Sequence, residues 1–142
     1  INTLAPGKLV VNAATTSINQ NYPGTLQYNQ ELVEGGILEL TDVFAVHYYS
    51  ERLETLLFGG VGSFLQDISI PIWVTESGQK GYNKQRAYVE RMWPYLLELI
   101  PNIRRFYFYQ YTENSPAGET YGLRNLTPGK SSSDLYQYLV RN

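Results

Sequence analysis

One carboxylate stands at the end of an apolar run that carries no other charge. Glu76 directly follows residues 71–75, whose sequence is Pro-Ile-Trp-Val-Thr. If this run is a buried strand, the carboxylate lies at the rim of a packed core, partly desolvated and held by its neighbours. Such a group can act as a nucleophile, and the alternative is that it caps the next helix. The position directly after a strand favours the chemical role.

The only histidine of the chain follows a second apolar run and precedes two tyrosines. His47 has no cysteine and no further histidine to share a metal ion with, so we predict no metal site and no cofactor. It either orients a nearby group by hydrogen bonding or is purely structural, and the sequence leaves both roles open. Because side chains alternate across a strand, we expect Tyr49 to donate its phenol to Glu76 while Tyr48 faces the packed side.

Four short apolar runs predict the strands that position these groups, at residues 9–11, 43–46, 72–74 and 106–109. The runs are continuous rather than alternating, which is typical of parallel strands covered on both faces. Segments of helical character separate them, so the order strand then helix repeats four times. The sequence therefore predicts an α/β fold in which residues 1–142 form a single βα-repeat unit.

The helices between these strands have recognisable ends. The first lies around residues 30–33 and the second begins near residue 51. The third covers residues 89–100, and its internal Pro94 predicts a kink or a break. Ser133 is the expected N-cap of the last helix.

In a parallel array, the residues that follow the strands gather on one face. Asn12 follows the first run, and residues 110–114, Gln-Tyr-Thr-Glu-Asn, follow the fourth. Each run thus ends in hydrogen-bonding groups, as the rim of a binding site requires. We expect Asn12, His47 and Tyr49 to contact the substrate.

Composition excludes several classes of partner. The net charge of -2 comes from scattered residues, which disfavours nucleic acid, and no apolar stretch is long enough to span a membrane. The 13 tyrosines offer flat apolar faces with a hydroxyl edge, which suit sugar rings and equally suit half-buried packing. The absence of cysteine does not select a compartment, so composition leaves localisation unknown.

These motifs together resemble the clan A glycoside hydrolases, the superfamily of cellulases, mannanases and xylosidases. The residues that carry the resemblance are His47-Tyr48-Tyr49, Thr75-Glu76-Ser77-Gly78, Tyr121-Gly122-Leu123 and Thr127-Pro128-Gly129-Lys130. The resemblance implies the C-terminal half of a (β/α)8 barrel, with strands and helices five to eight. It also implies a retaining glycosidase that acts on a carbohydrate, with Glu76 as nucleophile and an extracellular site of action.

The chain departs from the family pattern at two points. A tryptophan usually follows the eighth strand as a sugar platform, and here Tyr109 or Tyr111 takes that place. The family's general acid/base belongs to an Asn-Glu pair after the fourth strand, and no such pair follows a strand here. Glu113 is the only other strand-end candidate for that role, although its turn-rich loop favours solvent exposure.

A four-unit array cannot close a barrel, because its edge strands would stay unpaired. We therefore expect an N-terminal half-barrel on a second chain or segment, or a homodimer. Two alternatives to the enzyme remain. One is a carbohydrate-binding or scaffold protein that uses Tyr48, Tyr49, Tyr109 and Tyr111 as stacking faces, and the other is an open doubly wound α/β domain.

Overall fold

Three parallel strands form the central sheet of the protein. In the computed structural model, which describes residues 5–20, 22–114, 116 and 120–141, these are β1 (Phe44–Tyr49), β2 (Ile72–Gly78) and β3 (Ile103–Phe108). They are hydrogen-bonded in the order β1-β2-β3, and both pairs are parallel. The predicted α/β class with a parallel sheet is therefore confirmed.

Helices connect the strands and cover one face of the sheet. They are α1 (Thr25–Glu34), α2 (Ile37–Leu40), α3 (Leu53–Leu57), α4 (Val61–Gln66), α5 (Gln85–Leu99) and α6 (Asp134–Leu139). A second small sheet pairs β4 (Thr112–Glu113) with β5 (Arg124–Asn125), and the sequence analysis did not predict it. Within the described residues, none of the helices is both long enough and apolar enough to cross a bilayer.

The prediction of a regular strand at residues 9–11 is wrong. Only Val11 bridges to Val43, in the parallel sense. Beyond that bridge, the side chain of Asn12 replaces the backbone ladder, since its Oδ1 accepts from the Ala45 amide at 2.6 Å and its Nδ2 donates to the Ala45 carbonyl at 3.3 Å. The run therefore borders β1 without becoming a full strand.

The third predicted helix, α5, continues through Pro94, so of the two predicted effects of this proline the break does not occur. Proline removes one backbone donor and one intrahelical hydrogen bond. The helix nevertheless buries Tyr88, Met92 and Leu96 in the core, and this packing holds it together across the proline.

The observed ends of other elements differ from the predicted ends by a few residues. The first helix covers residues 25–34 rather than 30–33, and the region after residue 51 divides into two short helices at Gly59-Gly60. The last strand begins at Ile103 and ends one residue before Tyr109. The predicted cap of the last helix is confirmed, because Ser133 Oγ accepts the Tyr136 amide at 3.1 Å.

Alternate side chains of the sheet face opposite environments. Phe44, Val46 and Tyr48 are buried in the core with the helices. On the other side, Arg105 and Tyr107 of β3 are exposed, so the expectation that both faces are covered is wrong for this strand. The exposed side is the one that carries the candidate site.

Candidate functional site

A β-bulge turns the carboxylate of Glu76 out of the core. β1 and β2 pair in register as far as Val46 and Val74, but His47 then pairs with Glu76, so Thr75 is an extra residue. Simple alternation from Val74 would direct Glu76 towards the helices, because side chains change face at every residue. The bulge instead places Glu76 on the same face as His47. The Thr75 hydroxyl, 3.3 Å from the Val46 carbonyl, satisfies part of the disturbed ladder.

Two side chains of β1 hold the Glu76 carboxylate. The Tyr49 hydroxyl donates to Glu76 Oε2 at 2.5 Å, as the sequence predicted, and His47 Nδ1 lies 3.5 Å from the same oxygen. Tyr48 is buried on the opposite face, also as predicted. The Glu76 side chain keeps 35% of its surface accessible, so it remains within reach of a ligand.

Burial and the carboxylate set the protonation states of the two partners. Burial lowers the pKa of His47, and the attraction of Glu76 opposes this shift only in part. His47 is therefore neutral at pH 7, and its contact with Glu76 is not an ion pair. Burial raises the pKa of Tyr49, and the hydrogen bond to Glu76 raises it further. Tyr49 thus stays protonated and remains a hydrogen-bond donor.

Tyrosine rings form the walls of a pocket around this carboxylate. The cavity has a volume of about 420 Å³ and is lined by Ala14, Thr15, Thr16, Ser17, His47, Tyr49, Glu76, Tyr109 and Tyr121. The rings of Tyr49 and Tyr121 meet at 69° with centroids 5.2 Å apart, and those of Tyr49 and Tyr109 at 79° and 6.0 Å. The pocket is large enough for a small ligand, whose usual sites measure about 300–1,000 Å³.

The sequence reasoning missed residues 14–17 of this pocket and its third tyrosine, Tyr121. The segment of Tyr121 lies beside the sheet because Gln85, which is fully buried, donates from Nε2 to the carbonyls of Thr120 and Tyr121 at 3.2 and 3.1 Å. The surplus of tyrosine does not single out this position, and the Tyr121-Gly122-Leu123 motif of the resemblance carried no prediction of a site role. A buried glutamine at the start of a helix gives no indication of the loop that it holds.

The remaining predicted site residues lie away from Glu76. The Asn12 side chain is hydrogen-bonded to the backbone of Ala45. Tyr111 lies near Tyr136, with ring centroids 6.3 Å apart. None of Asn12, Tyr111 and Glu113 lines the pocket. The structure therefore brings together His47, Tyr49, Glu76 and Tyr109, and it does not bring the other three to them.

Glu113 has a local structural partner. Its Oε2 accepts the Gly122 amide at 3.0 Å, and its side chain is half-buried rather than exposed. The two-residue pairing of β4 with β5 holds this loop in place. The predicted exposure of Glu113 is therefore wrong, and its carboxylate is directed to a backbone group of its own loop.

Nothing among the described residues provides a metal centre, since they contain no cluster of three or more histidine, aspartate or glutamate side chains. No family model, curated protein or solved structure matches the chain.

The lowered pKa of His47 predicts a pH-dependent stability. In the unfolded chain, histidine takes up a proton near pH 6.5, whereas the folded protein does so only at lower pH. The unfolded state therefore binds more protons below about pH 6.5, and the free energy of unfolding falls as the pH drops through that value. Urea unfolding at several pH values between 7.5 and 5 measures this slope. His47→Gln should flatten it, and equal slopes in the two proteins would exclude His47 as the cause.

A close approach of β2 and the residue after β3 predicts the effect of one small substitution. A Cβ atom at Gly78 would lie 2.6 Å from the Tyr109 carbonyl oxygen and 3.4 Å from the Tyr121 ring. Gly78→Ala must therefore displace the backbone of Tyr109, and we expect a loss of about 1–3 kcal/mol in the free energy of unfolding. Denaturant unfolding measures this loss, and an unchanged midpoint would show that the backbone yields freely.

Proposed function

We propose that this chain carries the nucleophile half of a retaining glycoside hydrolase, with Glu76 as the nucleophile. The observation that carries the proposal is the setting of Glu76. A bulge turns it into an open pocket, Tyr49 holds one oxygen, and tyrosine rings form the walls. A carboxylate held in this way can attack the anomeric carbon of a sugar, and flat rings with hydroxyl edges suit the faces of a pyranose.

The two chemical steps assign a role to each group. In the first, a Glu76 oxygen bonds to the anomeric carbon while the bond from that carbon to the leaving oxygen breaks, and a general acid protonates the leaving oxygen. In the second step, water attacks the anomeric carbon and gives a proton to the residue that acted as general acid in the first step. The bond from Glu76 to that carbon breaks, which releases Glu76 as a carboxylate. Tyr49 fixes the oxygen that it binds, so the other oxygen is oriented for attack.

The strand order supports a barrel-derived architecture for the sheet. Val11 bridges to Val43, the residue before β1, on one side, β2 pairs with β1 on the other side, and β3 follows β2. Such a strictly sequential parallel order is what a (β/α)8 barrel requires, whereas the order of the strands in a doubly wound sheet reverses at a switch point. The exposed side of β3 fits the same proposal, because the interior of a barrel is filled only when the remaining strands close it.

A second carboxyl group is required, and we propose that another half-barrel supplies it. Retaining enzymes place their two carboxyl groups about 5–5.5 Å apart. The described lining of the pocket contains Glu76 as its only carboxylate, and Glu113 is directed to Gly122. The partner half is an N-terminal segment, a second chain or a second copy of this chain in a homodimer.

The lone carboxylate also favours a second candidate function. A protein that binds carbohydrate without cleaving it needs tyrosine faces and hydroxyl groups but no acid/base. The pocket as described meets this requirement without any partner. A complete enzyme and a binding protein therefore differ in whether a second carboxyl group faces Glu76.

The stereochemistry of hydrolysis tests the proposal. The intact mass of the purified sample first establishes whether a second polypeptide accompanies the chain. Aryl glycosides are then supplied to that complex and to the 142-residue chain alone, and proton NMR follows the first product. We expect hydrolysis with a retained anomeric configuration in the complex, or in the dimer if two copies of the chain associate, and negligible turnover by the monomer. Inversion would exclude Glu76 as nucleophile, and near-normal turnover by the monomer would show that no second half is needed.

A further inference from the structure

Among the described residues that line the pocket, one acidic side chain has no cationic partner. Of these nine residues, Glu76 is the only acidic one, and the lowered pKa of His47 keeps the imidazole neutral at pH 7. No lysine or arginine is among them. A carboxylate without a cationic neighbour attracts positive charge, and it does so more strongly in a cleft than on an open surface.

Three tyrosine rings line the pocket together with this carboxylate, and Tyr49 bonds to it through its hydroxyl. The Tyr109 and Tyr121 rings meet at 64° with centroids 6.4 Å apart, and both meet the Tyr49 ring at steep angles. Edge-to-face packing of this kind holds the rings in fixed positions. Aromatic rings that converge at steep angles are also how proteins bind ammonium groups, because each ring face is electron-rich.

The rings remain accessible from the pocket. Tyr109 keeps 37% of its surface exposed, and Tyr121 is half-buried. Hydroxyl-bearing residues 15–17 border the opposite side, positioned by the hydrogen bond from the Ile18 amide to the His47 carbonyl at 3.1 Å. The pocket thus joins one anion and three aromatic walls to a polar rim that suits the hydroxyls of a sugar.

We propose that the sugar bound against Glu76 carries a protonated amino group, so that the substrate is an amino sugar or an oligomer of amino sugars. This inference rests on the proposed function, since it specifies the carbohydrate that the same pocket binds. The ammonium group lies against the rings of Tyr49, Tyr109 and Tyr121, and Glu76 provides the opposite charge. Acidic sugars are excluded from the site by the same charge.

Three oligosaccharides with the same linkage separate charge from shape. Calorimetry compares the β-1,4 hexamer of glucosamine with its fully N-acetylated form and with cellohexaose, at low and high salt. We expect the glucosamine hexamer to bind about tenfold more tightly than either neutral hexamer, within the range that cation–π contacts and one charge pair provide. We also expect added salt to reduce this preference.

Variants at two positions connect the preference to the pocket. Glu76→Gln should bring the three affinities close together, because it removes the charge and keeps the shape. Tyr121→Leu should weaken binding of the glucosamine hexamer about threefold to tenfold. Tyr121→Phe, which keeps the aromatic face, should bind it like the native protein. A preference that survives Glu76→Gln would overturn the inference.

The outcomes also separate this inference from the proposed function. If cellohexaose or the N-acetylated hexamer binds as tightly as the glucosamine hexamer, the amino-sugar inference is wrong and the glycosidase proposal stands. If the glucosamine hexamer is preferred but the chain together with its second half shows no retaining hydrolysis, the inference stands and the catalytic proposal is wrong. If no hexamer binds, the inference is wrong.

Discussion

Glu76→Ala is expected to lower turnover of aryl glycosides by on the order of 10⁴-fold, as loss of a nucleophile does in other hydrolases. Added azide should restore much of this turnover with activated substrates, because the shortened side chain leaves room for a small anion beside the anomeric carbon. The product should be a glycosyl azide of inverted configuration, since azide then attacks once from the face that Glu76 occupied. Proton NMR of the products measures both the turnover and the configuration. The variant is prepared with the same partner, if any, that the native protein needs for activity.

The matched control for this experiment is Glu113→Ala, since Glu113 is another half-buried glutamate at the end of a strand. Its carboxylate binds the Gly122 amide and does not line the pocket. We expect turnover within a few fold of the native value, with a loss of stability from the missing hydrogen bond of about 1 kcal/mol. Azide rescue of Glu113→Ala with retained configuration would instead identify Glu113 as the acid/base.

Tyr49→Phe is expected to reduce kcat/KM by about 10- to 100-fold. The substitution removes the hydroxyl that donates to Glu76 Oε2 at 2.5 Å and leaves the ring in place. A hydrogen bond to a charged group contributes about 1.5–3 kcal/mol, and each 1.36 kcal/mol corresponds to about tenfold in rate. Steady-state kinetics measures the loss, and circular dichroism checks that the fold is retained.

Tyr48→Phe provides a control at the adjacent position. The Tyr48 hydroxyl is buried on the opposite face and has no hydrogen-bond partner in the described part of the chain. Its removal should therefore leave kcat/KM within twofold and cost little or no stability, because no bond is lost. If the two variants lose activity equally, the hydrogen bond to Glu76 is not the reason.

The sequence predicted the strands of the sheet better than the geometry of the site. The apolar runs around Val46, Val74 and Phe106 each lie in a strand, because a continuous buried run has few other solutions. The run ending at Val11 did not become a full strand, since the Asn12 side chain takes over its pairing. Competition between a side chain and the backbone for one hydrogen-bonding edge is not visible in an apolar pattern.

The bulge at Thr75 explains why the orientation of Glu76 could not be read from periodicity. Strict alternation from Val74 places Glu76 in the core, and only the register against His47 shows that it faces the pocket. Alternation in β1, which has no extra residue of its own, predicts the face of Tyr49, and the bulge in β2 brings Glu76 to that face, where the two side chains bond. Tyr121 was not predictable, since its position depends on a long-range hydrogen bond from Gln85.

If Glu76 is the nucleophile, it forms a covalent bond to a sugar, and covalent trapping makes that bond observable. Glycosyl fluorides that carry a second fluorine at C2 or C5 form the glycosyl-enzyme readily and release it slowly, and fluoride leaves with little need for an acid. A panel of gluco, manno, xylo and glucosamine forms is incubated with the protein and any partner that purifies with it, and peptide mass spectrometry locates the label. We expect one sugar on the peptide that contains Glu76, and no label in Glu76→Gln. A label on another residue, or binding of the panel without any label, would contradict it.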